Sequence, residues 1–153
     1  MHLARRGLSV FARRIARLDH VCVCVRDVNA SIEWYRGVLG MVLQYGDHPT
    51  SPAFMSTAAG GASIALLPLD AEQVAVPQHN GAHFALGLDS EEAFDAAVAE
   101  LPALLLRHGG DAAGTAEVLV DVHDYGLQRS AFFADLDANI VELTWWRDAG
   151  GST

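Results

Sequence analysis

An α+β fold built from two similar halves is what this sequence predicts. Three observations carry it. The chain reads strand–helix–strands and then the same order again. Short runs alternate apolar and polar residues at strand period, while two longer runs carry helical stripes. A histidine also stands in the opening strand of each half: His20 in LDHVCVCV and His83 in AHFALGL. With 153 residues, 51% of them hydrophobic, the chain can bury one real core.

Residues 18–26 alternate around β-branched and apolar types and predict a strand. Asp27 to Asn29 offer helix caps, and ASIEWYRGVLG sets Ile32, Tyr35, Val38 and Leu39 on one face before Gly40 ends the helix. Short strands are expected near 41–46, 53–58 and 62–68. The segment DAEQVAVPQHNG, with Pro77 and Asn80-Gly81, reads as the boundary between halves. The order restarts with a strand at AHFALGLD, where Asp89 with Glu92 forms a capping-box-like helix start. Phe94, Ala97, Val98, Leu101, Leu104 and Leu105 give the second helical stripe, with Pro102 a kink or an end. LRHGGDAAG is expected as loop. Strands are expected at 116–122, 129–135 and 139–146, the last two a hairpin across Leu136 to Ala138. The halves share no obvious repeat residue by residue.

Composition narrows the function. A net charge of −9 argues against nucleic acid, and no apolar stretch approaches the ~20 residues of a membrane span. Lysine is absent, which excludes Schiff-base chemistry and a lysine phosphate cradle. Cys22 and Cys24 lie two apart on one strand, poor geometry for a disulfide, so a reducing cytoplasm and two small buried apolar groups are expected. Residues 1–16 form an Arg-rich extension that reads as a basic amphipathic helix, a targeting segment or a packing arm.

His20, His83 and Glu142 (in NIVELTWW) are two imidazoles and a carboxylate, the set that holds a divalent metal and leaves positions open for substrate, water or oxygen. Singly, each reads as an ordinary strand residue. Only the fold could bring them together. Because strand side chains alternate, Cys22 and Cys24 share a face with His20, Ala85 and Gly87 with His83, and Ile140, Thr144 and Trp146 with Glu142. That lining suits a mostly apolar or aromatic ligand.

LDHVCVCVRDVNASIEWYRGVLGMVLQYGD, GAHFALGLDSEEAFDAAVAEL and RSAFFADLDANIVELTWW together resemble the vicinal oxygen chelate superfamily, which includes glyoxalase I, bleomycin-resistance proteins and type I extradiol dioxygenases. The resemblance implies two βαβββ modules forming an open curled sheet. These are module 1 (about 17–69) and module 2 (about 80–146) of a single domain at 17–146, with a tail at 147–153. It implies that His20, His83 and Glu142 fall on metal-ligand positions, and that Ala65 stands where glyoxalase I carries a fourth ligand. Phe132 stands where extradiol dioxygenases carry a tyrosine, and DLDAN replaces the usual DPDGN turn.

His123 and Tyr125, in VHDYGLQRS near the implied site entrance, are the candidate acid–base residues. Phe132, Trp146, Cys22, Thr144 and Arg129 are the candidate substrate contacts, Arg129 for a substrate carboxylate. The expectation is a cytoplasmic, homodimeric enzyme with a divalent metal, Fe(II) favoured and Zn, Ni or Mn as alternatives. Its substrate would be a small molecule coordinated through two oxygens, in an extradiol-dioxygenase-like reaction. A glyoxalase-type isomerase or lyase, or a non-catalytic bleomycin-resistance-like binding protein, are the alternatives.

Overall fold

The computed structural model describes residues 18–45, 52–69, 82–109 and 120–147. The Arg-rich extension, the boundary segment at 70–81, His48, His79 and the first part of the strand expected at 116–122 lie outside the described residues.

The elements are β1 (His20–Val25), α1 (Val28–Leu39), β2 (Val42–Gln44), β3 (Ala53–Ser56) and β4 (Ser63–Pro68), then β5 (His83–Gly87), α2 (Glu91–His108), β6 (Asp121–Asp124), β7 (Gln128–Ala134) and β8 (Ile140–Trp146). They form two four-stranded mixed sheets, ordered β1-β4-β3-β2 and β5-β8-β7-β6. In each, the first and last strands of the module pair in parallel and the remaining neighbours are antiparallel. The expected pair of βαβββ modules is therefore present.

Local chemistry explains the element ends. Asp27 caps α1 by accepting the Ala30 amide at 3.0 Å, and Gly40 closes it at φ 62°, where a Cβ would be strained. For α2 the expected start is corrected by one residue. Ser90, not Asp89, is the cap, its hydroxyl accepting from the Ala93 amide at 3.1 Å. Pro102 does not end α2, which continues to His108 because Leu101 and Leu105, on either side of it, are buried in the same stripe as Phe94.

One core joins the halves. It includes Val23, Trp34, Tyr35, Met55 and Leu66 from module 1 with Phe94, Leu101, Phe133, Val141 and Leu143 from module 2. Strand alternation turns these residues toward the helices and leaves the opposite face of each sheet to the site. Where α1 and α2 meet, Gly37 lies against the His108 ring, which would have to swing aside for a Cβ.

A polar joint reinforces the contact. The Tyr35 hydroxyl donates to buried Asp135 Oδ2 at 2.9 Å, and the Asn139 side-chain amide donates to the Cys24 carbonyl at 3.1 Å. The Arg26 guanidinium meets Asp137 at 2.5 Å and the Leu136 carbonyl at 2.8 Å. The β7–β8 turn of module 2 is thus tied to β1 and α1 of module 1.

Candidate functional site

The two modules repeat one another in register. In module 1, His20 lies opposite Ser63 and Cys22 opposite Ala65. In module 2, His83 lies opposite Ile140 and Ala85 opposite Glu142. His20 thus corresponds to His83, and Ala65 to Glu142. The repeat is one of frame, with the carboxylate in one copy only.

Residues directly across a ladder share a face, so the open face of module 2 can be read row by row. One row holds Ala85, Glu142, Phe132 and Asp121; the next holds Gly87, Thr144, Ser130 and His123. Trp146 lies opposite Gln128, one row further on. This face brings His83 Nε2 to 2.9 Å from Glu142 Oε2. The imidazole is 38% exposed while the carboxylate is 6% exposed. Glu142 Oε1 accepts from Ser130 Oγ at 2.6 Å and from Gln128 Nε2 at 3.1 Å. Both braces are neutral, so they satisfy lone pairs of the buried carboxylate without offsetting its charge.

Aromatic rings edge this pair. Phe132 presents an edge-on contact to His83 with centroids 5.5 Å apart, and a second to His123 at 6.0 Å. His123 and Tyr125 stack at 5.6 Å with an interplanar angle of 13°, and His123 Nε2 meets Asp121 Oδ2 at 2.9 Å. His123 lies within β6, not in the loop expected for it. Tyr125 follows that strand and is exposed. Thr144, buried on the same face, accepts from Gln128 Nε2 at 2.8 Å. Trp146, at the end of β8, is 59% exposed.

Module 1 offers a different face. His20 Nδ1 meets Asp19 Oδ2 at 2.9 Å and its ring stands edge-on to Phe54 at 5.4 Å. Among the described residues, no group of three or more His, Cys, Asp or Glu side chains in one chain is arranged to hold a metal ion. The structure therefore brings His83 and Glu142 together and leaves His20 apart from them. Cys22 and Cys24 are exposed, which corrects the expectation of buried apolar thiols: the pleat turns them to the site face with His20 while Val23 and Val25 fill the core. A cleft of about 180 Å³ between the modules is lined by Val21, Cys22, His83, Phe84, Asn139 and Ile140, among others. Cys22 and His83 thus line one space.

Arg129 is also corrected. Its position opposite Trp145 puts it on the helix side of β7, where it meets Glu91 at 3.1 Å and Asp95 at 2.9 Å and lies over the Phe94 ring. It faces α2 instead of the substrate side. Sequence reasoning missed Ser130, Gln128 and Asp121. Counting back along the hairpin from the Leu136–Ala138 turn would have found the first two, since that register sets Ser130 opposite Thr144 and Gln128 opposite Trp146.

Two helices on two open mixed sheets, with a histidine–carboxylate pair on one open face, define a protein of the glyoxalase-like class. The chain belongs to the glyoxalase/bleomycin resistance protein/dioxygenase superfamily, whose family model matches residues 17–143. No curated protein sequence matches it. Similar solved structures include a lactoylglutathione lyase from Agrobacterium tumefaciens (19% identity, TM-score 0.61, 90% of this chain and 98% of that one). A glyoxalase/bleomycin resistance protein/dioxygenase from Nocardioides matches at 20% identity and TM-score 0.58, over 90% of this chain and 89% of that one. An integron cassette protein of V. cholerae matches at 21% identity and TM-score 0.53, over 88% and 98%. At these identities the likeness is one of fold.

Proposed function

We propose that the chain is a metal-dependent enzyme acting on a small apolar or aromatic substrate that offers two neighbouring oxygens. The observation carrying this reading is the convergence of His83 Nε2 and Glu142 Oε2 at 2.9 Å on an open sheet face. An imidazole and a buried carboxylate with neutral braces supply two of the donors that a divalent cation takes. His83 and Glu142 would hold the ion together with His20 of a second copy, so the working unit is a homodimer. Fe(II) is favoured, with Zn, Ni or Mn as alternatives. When bound, the ion supplies Lewis-acid polarisation of the substrate oxygens and, as Fe(II), access to oxygen chemistry.

The chain's own residues do the rest. Phe132, Trp146 and Cys22 give the substrate apolar walls and exclude water from the reacting oxygens. With Nε2 of His123 engaged by Asp121, Nδ1 is the nitrogen that exchanges a proton with substrate, and stacking by Tyr125 holds the ring. Extradiol-like ring cleavage is preferred to a glyoxalase-type isomerisation because Ala65 removes the fourth ligand. Phe132 stands beside Glu142 without the hydroxyl that would hold a diol, so substrate orientation falls to other groups on the face.

A second reading has its own support. Ala65 fills in module 1 the position that Glu142 fills in module 2, and a site short of donors suits a binding protein that sequesters its ligand. Elemental analysis of anaerobically purified protein, run beside His83→Ala, separates the two. About one Fe per chain, lost in the variant, supports the enzyme and leads to oxygen-uptake assays with catechol-like compounds. Zn, Ni or Mn at that stoichiometry redirects the assay to isomerase or lyase chemistry. No metal after reconstitution leaves the binding protein.

A further inference from the structure

The geometry points to Ser130 and Gln128 as positioning residues that make Glu142 a one-oxygen metal ligand; this inference rests on the metal-dependent reading above. The argument is one of donor and acceptor counting. Thr144 Oγ1 donates its single hydrogen to the Arg129 carbonyl at 3.3 Å, so it can only accept from Gln128, as it does at 2.8 Å. That fixes the Gln128 amide with Nε2 inward. Its second hydrogen goes to Glu142 Oε1 at 3.1 Å. Ser130 is fully buried, and its hydroxyl reaches the same oxygen at 2.6 Å.

Oε1 therefore accepts two hydrogen bonds from groups locked in the sheet, while Oε2 is the oxygen turned to His83. A bidentate carboxylate would need Oε1 to give up one of its two hydrogen bonds, leaving either the buried hydroxyl or the amide hydrogen without its acceptor. The consequence is chemical. One carboxylate oxygen occupies one coordination position, and a further position stays open for a substrate that chelates through two oxygens. Among the described residues, module 1 has no carboxylate to brace at this point, since Ala65 stands where Glu142 stands in module 2.

The test is a Co²⁺ titration of metal-free protein, followed by calorimetry and by the visible bands of the bound ion, whose intensity falls as coordination number rises. Wild type, Ser130→Ala, Ser130→Thr, Gln128→Met and Glu142→Gln are compared, with circular dichroism to verify folding. Ser130→Ala and Gln128→Met should weaken Co²⁺ by roughly tenfold or more and dim the bands as Oε1 joins the ion. Ser130→Thr, which keeps the hydroxyl, should restore both. Gln128→Met carries the test alone if Ser130→Ala fails to fold. Tight Co²⁺ binding in wild type with unchanged affinity and bands in both donor-less variants would overturn the inference and leave the metal site standing. Binding unchanged in Glu142→Gln, or absent in wild type, would remove the metal site and the inference with it.

Discussion

Module 1 and module 2 share a strand order, a parallel closing pair and a register, yet they present unlike faces. In module 2 the histidine that opens the module reaches a carboxylate braced by a hydroxyl and an amide. In module 1 the equivalent histidine turns to Asp19, and the carboxylate position is Ala65 beside two exposed thiols. A duplicated backbone fixes where a ligand could stand, and a single side chain then decides whether it does. The difference teaches that site chemistry is written on the outward positions of each strand. The inward positions are bound to the shared core.

The largest effect should come from breaking what holds the halves together. Trp34 is buried in module 1, with its ring 6.4 Å from that of Phe133 in module 2. Trp34→Ala should cost about 3–5 kcal/mol in denaturant melts, against under 1 kcal/mol for an exposed partner of the joint such as Arg26→Ala.

Next in size is the contrast between the faces. Glu142→Gln should weaken divalent metal binding more than about 100-fold, which is roughly 2.7 kcal/mol. Ala65→Ser, at the equivalent point of module 1, should change metal affinity by less than about twofold, since under the proposed function His20 is the one ligand that module 1 contributes. Calorimetric titration of both measures the comparison directly, and equal losses would break it.

A smaller effect belongs to the joint at Asp135. Tyr35→Phe should cost about 1–3 kcal/mol by removing a donor from a buried carboxylate. Burial raises the Asp135 carboxyl above its ordinary value of 3.8, against the lowering effect of its hydrogen bonds from Asn139, Asp137 and Tyr35. A raised folded-state value means that its contribution to stability is complete below pH 3.8 and is lost as pH climbs through the raised value. Asp135→Asn should flatten melting temperature across that window. Asp124 has the opposite sign, held well below the usual carboxylate range by Arg147 and the Gly126 amide. Its contribution is present above pH 3.8 and fades on acidification, so Asp124→Asn should remove part of the acid-side slope.

Much of this was legible in the sequence because periodicity reports burial. Val23 and Val25 alternating with His20, Cys22 and Cys24 disclosed which face of β1 met the helices, and Gly40 disclosed a helix end through its backbone freedom. The pleat placed the thiols on the face of His20 as expected; their burial was misjudged because cysteine is apolar enough to suit a covered wall, and this face lies open. Ser90 and Asp89 offer a helix equally good caps, so a shift of one residue was beyond composition. Asp135 was illegible for another reason: its partner Tyr35 lies a hundred residues away, and only packing joins them. Ser130 and Gln128 were within reach, since their partner Glu142 lies on the next strand of the same hairpin and register alone sets them beside it.

The central claim is that module 2 holds the ion through His83 and Glu142 and that His20 of a second copy completes the site. Complementation tests it most directly: His20→Ala and His83→Ala chains are purified separately, then co-expressed, and metal is counted each time. Each variant alone should be metal-free, and the mixed dimer should regain up to one ion, because one of its two sites is intact. Retention of the ion by His83→Ala alone, or no regain while wild type is loaded, would contradict the account.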